Sequence, residues 1–126
     1  MNIGDVRIVL AEPEPSGRLL AYASFTIDRH FAVRDCKVIR LGERLLVCMP
    51  SRDVYDRCGA CNGRNPVRQR HCGRCGIRLP DQRAELDVDG KAMVRADVCF
   101  PTDQATRDAI EAAVFRAYGE TAPVGL

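Results

Sequence analysis

Along its first fifty residues the chain alternates apolar and polar positions in short runs, the two-residue period of strands with one buried face. "DVRIVL" predicts a first strand, ended by the turn-rich "EPEPSG". In "RLLAYASFTID" the residues Leu19, Ala21, Ala23, Phe25 and Ile27 fall on one face, while Arg18, Tyr22, Ser24, Thr26 and Asp28 fall mostly on the other. Asp28-Arg29 is the expected turn. The next run, "HFAVRDCKVIRL", starts with Phe31 and Val33 inward and then changes phase to Cys36 and Val38, a shift that a β-bulge near Arg34 and Asp35 accommodates. Gly42-Glu43 turns the chain into "LLVCMP", an almost wholly apolar run that predicts a central strand covered on both faces and stopped by Pro50.

Toward the C-terminus, "AELDVDGKAMVRADVCF" alternates on both sides of Asp89-Gly90, which predicts a hairpin. The period then lengthens. In "PTDQATRDAIEAAVFRAYG" the residues Ile110, Ala113, Val114, Ala117 and Tyr118 form one helical stripe, with Thr102 or Asp103 to cap its start and Gly119 to end it. The predicted class is α+β: a small twisted antiparallel sheet with one C-terminal helix, interrupted by a cysteine-rich insert.

Composition agrees with this plan. The 126 residues suffice for one domain, and an apolar fraction of 46% with a charged fraction of 29% is that of an ordinary globular chain. The longest apolar run, Leu45 to Met49, falls far short of the ~20 residues that span a bilayer. "MNIGDVRIVL" has no basic segment followed by an apolar stretch, so the expectation is a cytosolic protein without a secretory signal or membrane anchor. Charge is what changes the picture. The net charge is only +2, yet residues 57 to 83 hold seven arginines against one acid, Asp81. A basic segment on a mildly acidic body points to an anionic partner there.

The same segment carries the candidate chemistry. Of seven cysteines, Cys36, Cys48 and Cys99 sit in strand-like runs and read as buried thiols, while the other four form two Cys-x-x-Cys pairs ten residues apart in "CGACNGRNPVRQRHCGRCG". Cys58, Cys61, Cys72 and Cys75 offer four soft sulfur ligands, the set that structural Zn²⁺ prefers, with a rubredoxin-like iron site as the alternative. Gly76 after the second pair, and Asn62-Gly63 after the first, suit the left-handed backbone that such turns require. With all four positions filled by cysteine, no coordination site is left for water or substrate, so the metal is expected to be structural. His71, beside Cys72, reads as solvent-facing, and His30 as structural. No phosphate loop, nucleophile-base pair or open metal site suggests an enzyme.

Arg64, Arg68, Arg70 and Arg74 lie between the first and last cysteine. Guanidinium forks can grip phosphate oxygens and give salt-dependent, largely sequence-independent affinity. The cysteine stretch lacks Phe, Tyr and Trp, which argues against stacking on single-stranded bases and favours duplex or backbone contact. The same arginines could instead dock an acidic protein, which would make the segment an interaction adaptor.

Outside the insert, "DVRIVL", "LLAYASFTIDRHFAVRDCKVI", "LLVCMPSR" and the "DVCFP" that leads into the helix resemble the stage V sporulation protein G family (SpoVG), the septation regulators. The resemblance covers about residues 3 to 52 and 93 to 118. It implies a small, non-enzymatic bacterial protein of the cytoplasm that forms a homodimer through its sheet and binds DNA, and in some members RNA, to regulate gene expression. Nucleic-acid contact is associated in the family with the basic position after "MPS" and the start of the C-terminal helix, here Arg52 and Arg107. The chain departs from the family pattern at Asp53, Ala96 and Phe100, where basic residues or a histidine are usual. The expected organisation is a discontinuous sheet-and-helix domain of residues 1–52 and 93–119, a zinc-ribbon insertion with its hairpin at 53–92, and a tail at 120–126.

Overall fold

The structure, a computed structural model, describes residues 1–121. The expected tail over 120–126 lies mostly outside them. The chain divides into two compact units, one of residues 1–50 with 99 onward and one of residues 51–98.

The first unit is an antiparallel meander of four strands in the order β1 (Ile3–Leu10), β2 (Leu19–Ile27), β3 (Phe31–Leu41) and β4 (Arg44–Cys48). The bulge expected in β3 is present. Ala23 pairs with Cys36 and Phe25 with Val33, so Arg34 and Asp35 together oppose Ser24, and Asp35 takes a φ of 63°. A second shift, in β1 between Gly4 and Arg7, is centred on Asp5 at a φ of 47°. The Asp28-Arg29 turn also forms, with φ of 52° and 61° and the His30 N–H donating to the Ile27 carbonyl at 3.0 Å, a primed turn whose twist matches the strands it joins.

One face of this sheet buries Ala21, Ala23, Phe25, Cys36, Val38, Val47 and Met49 together with Ile110 and Val114 of the C-terminal helix (Gln104–Thr121). Asp103 caps that helix by accepting the Thr106 N–H at 2.7 Å. The helix runs past Gly119 to Thr121, so the expected glycine stop is not used. Two strand expectations also need correction. The run "LLVCM" forms the outer strand of the four, with Val47 buried and Leu45 and Leu46 only half-buried, because an apolar run this short carries no record of how many neighbours cover it. Phe31 pairs with Ile27 beside the turn, outside the buried cluster, and stays 73% exposed.

The second unit has little regular structure. β5 (Ser51–Asp53) pairs with β8 (Arg95–Asp97), and β6 (Tyr55–Arg57) pairs with β7 (Arg64–Pro66), both antiparallel. The pairing of β5 with β8 takes Ser51, Arg52 and residues 93–98 into this unit, where the sequence suggested that they belong to the sheet-and-helix domain. The predicted hairpin forms but is short, with the Asp87 N–H donating to the Lys91 carbonyl and the Met93 N–H to the Glu85 carbonyl. Gly90 adopts a φ of 80° and donates to the Asp87 carbonyl, but only Leu86 and Ala92 form a bridge, since Leu86 and Val88 find no apolar surface to cover them.

Burial pushes the Cys36 thiol up to about 12, with Cys99, Asp35 and Cys48 contributing further. The folded value lies above the ordinary one, so the neutral thiol stabilises the sheet fully below the unfolded pKa, and that contribution is lost as pH rises toward the folded value. At mildly alkaline pH, Cys36 should therefore resist iodoacetamide in the native protein and react once urea is added, as read by peptide mass spectrometry. Rapid labelling of Cys36 in the folded chain would contradict this burial.

Candidate functional site

Both Cys-x-x-Cys pairs fold into the same turn. In the first, the Cys58 N–H donates to the Gly63 carbonyl at 2.8 Å and the Asn62 N–H to the Cys58 carbonyl at 2.8 Å; in the second, Cys72 donates to Ile77 at 3.0 Å and Gly76 to Cys72 at 2.9 Å. Asn62 and Gly76 hold equivalent positions, each four residues after the first cysteine of its pair, at φ of 60° and 80°. These are the left-handed positions that the sequence suggested. Each turn also aims backbone donors at sulfur: Ala60 N–H at Cys58 and Gly63 N–H at Cys61, then Arg74 and Cys75 N–H at Cys72, over 3.3 to 3.4 Å.

The result is a cluster in which all four Sγ atoms lie within 4.8 Å of one another. Cys58 and Cys75 approach to 3.8 Å, and Cys61 and Cys72 to 3.5 Å. A tetrahedron with sulfur arms of about 2.3 Å has edges of about 3.8 Å, so donor set and spacing both fit a zinc ion. The backbone N–H of Cys75, the Asn65 amide and the Arg74 N–H hold the Cys72 thiol down at about 5. The N–H of Cys61 does the same for Cys58, which is also lowered. Such donors favour thiolate, the form that binds metal, at Cys58 and Cys72; at Cys61 the Gly63 N–H acts the same way but desolvation and the neighbouring sulfurs outweigh it and push the thiol up to about 11.

Sequence reasoning missed two residues that build the site. Asn65 is only 2% exposed, and its amide joins the two turns. Its Nδ2 donates to the Gly63 carbonyl and to Cys72 Sγ, both at 3.4 Å, while its Oδ1 accepts from the Gly73 N–H at 2.9 Å and from Gln69 Nε2. Arg83 is the other. Its guanidinium forms a two-pronged pair with Asp56 at 2.8 and 2.9 Å and donates to the Gln69 and Pro66 carbonyls at 2.7 and 3.0 Å. Nothing in a single Asn or Arg within a polar stretch announces these contacts in advance.

The arginines expected to bind an anionic partner divide into two groups. Arg68 grips Asp53 through Nε and Nη2 at 3.2 and 3.1 Å, and Arg95 reaches the same carboxylate, which holds Asp53 below the usual carboxylate range. Arg64, Arg70 and Arg74 are exposed and have no carboxylate partner among the described residues. Arg52 lies on β5 with its Nη1 on the Asp53 carbonyl at 3.3 Å, and Arg107 lies in the first turn of the helix in the other unit.

The SpoVG family model matches residues 1–120. The chain belongs to the SpoVG family. Among curated SpoVG relatives, one bearing the septation-protein name from Agathobacter rectalis is 45% identical over 56 residues, covering 44% of this chain and 62% of the relative. A counterpart from Listeria monocytogenes is 45% identical over 56 residues and one from Myxococcus xanthus 40%, covering 53% and 54% of those proteins. The matched stretch thus spans between about half and three fifths of these SpoVG relatives. Among the described residues, no helix is long and apolar enough to cross a membrane.

Asn65 orients a ligand sulfur from the second layer, so removing its amide should weaken metal affinity without removing a ligand. Asn65→Ala is expected to lose roughly 10- to 100-fold in zinc affinity. Competition with a chromogenic chelator measures this, and an unchanged affinity would show the amide to be dispensable.

Proposed function

We propose that this chain is a non-enzymatic regulator of the SpoVG type, cytoplasmic and dimeric, that binds DNA or RNA. In this reading the unit of residues 51–98 is a zinc ribbon that extends the basic binding surface. The observation that carries it is the company the four sulfurs keep: four cysteine ligands within 4.8 Å of one another, in a unit where Arg64, Arg70 and Arg74 are exposed and unpaired with any carboxylate among the described residues. Four cysteine ligands saturate the metal and leave no position for chemistry. Guanidinium groups free of carboxylates can engage phosphate oxygens instead. The septation names of the relatives agree with a regulatory role. A sheet-mediated homodimer is consistent with the exposure of Val9 and Tyr22, which are paired on adjacent strands of the first unit.

Zinc should hold the second unit together, since its buried apolar side chains apart from cysteine are few. Removing the metal with a strong chelator is expected to make residues 51–98 protease-sensitive while most far-ultraviolet dichroism remains. Unchanged proteolysis of that segment after verified metal loss would refute the structural role.

Affinity for duplex DNA, single-stranded DNA and RNA should fall linearly on a log-log plot against salt. Replacing Arg70 and Arg74 by Ala should reduce the slope by about one for each phosphate that an arginine no longer neutralises. Fluorescence anisotropy over a salt series provides the test. A wild-type protein that binds no nucleic acid at low salt would overturn the proposal and leave the ribbon as a protein-interaction adaptor.

A further inference from the structure

We infer that the outer face of the β6–β7 ribbon is a stacking site for unpaired nucleobases, so that the second unit engages single-stranded nucleic acid in preference to duplex. This rests on the nucleic-acid reading above and names the form of the ligand.

The register assigns the two faces of the ribbon. Asp56 opposes Asn65 on the inner face, where both are occupied by Arg83 and by the cysteine turns. On the outer face Tyr55 opposes Pro66, and Arg57 lies directly across from Arg64. Like charges in that position oppose strand pairing unless an anion lies between them. No carboxylate among the described residues pairs with either.

Phosphate alone would be served by these two charges, but the aromatic ring asks for more. The Arg64 guanidinium lies over the Tyr55 ring, 4.1 Å from its centroid, and Tyr55 remains 39% exposed. This cation–π contact holds a flexible side chain as a flat, charged plate. Nucleobases stack on tyrosine rings and on guanidinium planes alike. Tyr55 also walls a cleft of about 360 Å³ that has Val54, Val67 and Met93 on its apolar side and Asp56, Arg83, Glu85 and Arg95 on its charged side. In a duplex each base is already stacked on its neighbours, so only an unpaired strand offers a free base face. Tyr55 lies three residues ahead of the first cysteine, so the lack of aromatics within the cysteine stretch does not count against stacking.

The test uses the full-length, zinc-loaded protein with labelled single-stranded DNA, single-stranded RNA and duplex DNA of one sequence, read by anisotropy. Tyr55→Ala should weaken single-strand binding by roughly 5- to 150-fold, as removal of one stacked base predicts, and change duplex binding by less than about twofold. Tyr55→Phe should bind as the wild type does. Arg64→Lys, which keeps the charge but not the plane, should lose single-strand affinity selectively, and it tests the idea even if Tyr55→Ala sheds its metal. Equal losses on single strand and duplex, or a Phe variant as weak as the Ala variant, would overturn the stacking site. Wild-type protein that binds duplex only would leave the nucleic-acid reading standing and remove this inference. Binding to none of the three would remove both.

Discussion

Four sulfur atoms within 4.8 Å of one another cannot all carry charge unless a cation sits among them, and the second unit is organised around that constraint. Two copies of one turn, fourteen residues apart in sequence, supply the ligands in pairs and direct peptide N–H groups at them. The turns need a left-handed residue four places after each first cysteine, which Asn62 and Gly76 provide at little cost. Around the cluster only Leu79 and Val67 are buried apolar residues other than cysteine, too small a core to order residues 51–98. The first unit, by contrast, has a core in which Phe25, Val38 and Val114 are almost wholly enclosed, and a metal held by the four sulfurs would take that place in the second.

With the turns held by their own hydrogen bonds to carbonyls and sulfurs, the arginines sort themselves by what faces them. Arg83 is a structural residue: its side chain is only 10% exposed, it meets one carboxylate and two carbonyls, and it ties β6 and β7 to residue 69. Arg68 and Arg95 share Asp53, so their charge is largely compensated locally. Arg52, Arg57, Arg64, Arg70 and Arg74 of this unit have no carboxylate partner among the described residues. Counting basic residues in the segment overstates its capacity for phosphate, because charge already engaged by a carboxylate offers little to a ligand.

Much of this was legible in the residues, and the limits have physical causes. The β3 bulge showed itself because the apolar phase jumps between Val33 and Cys36, and the four-cysteine cluster because two Cys-x-x-Cys pairs at that spacing have few other uses. The position of "LLVCM" at the sheet edge was not legible, since periodicity records which face is apolar and not how many strands lie alongside. The length of the hairpin at Asp89-Gly90 was overread: turn chemistry was right, but its flanks lack a core to pack against. Asn65, Arg83 and the Tyr55–Arg64 stack were invisible for a different reason, as each acts through partners distant in sequence or across a strand pair.

The junctions of the second unit show how one chain can carry two sources of stability. β4 ends at Cys48 before Pro50, and the capped helix begins at Gln104, so the first unit closes its sheet and its helix with ladders and a cap of its own. The second unit closes itself through the β5–β8 pair, which brings Ser51–Asp53 beside Arg95–Asp97 and returns the chain close to where it left. An insertion whose ends meet imposes little entropy cost on the domain that carries it, because the loop it adds is already closed. Closure by β5 and β8 rather than at residue 53 also explains why Arg52, which the sequence suggested belongs to the sheet-and-helix domain, is carried here by the second unit. Arg52 is thereby grouped with Arg57, Arg64, Arg70 and Arg74 in the unit that holds the four cysteines.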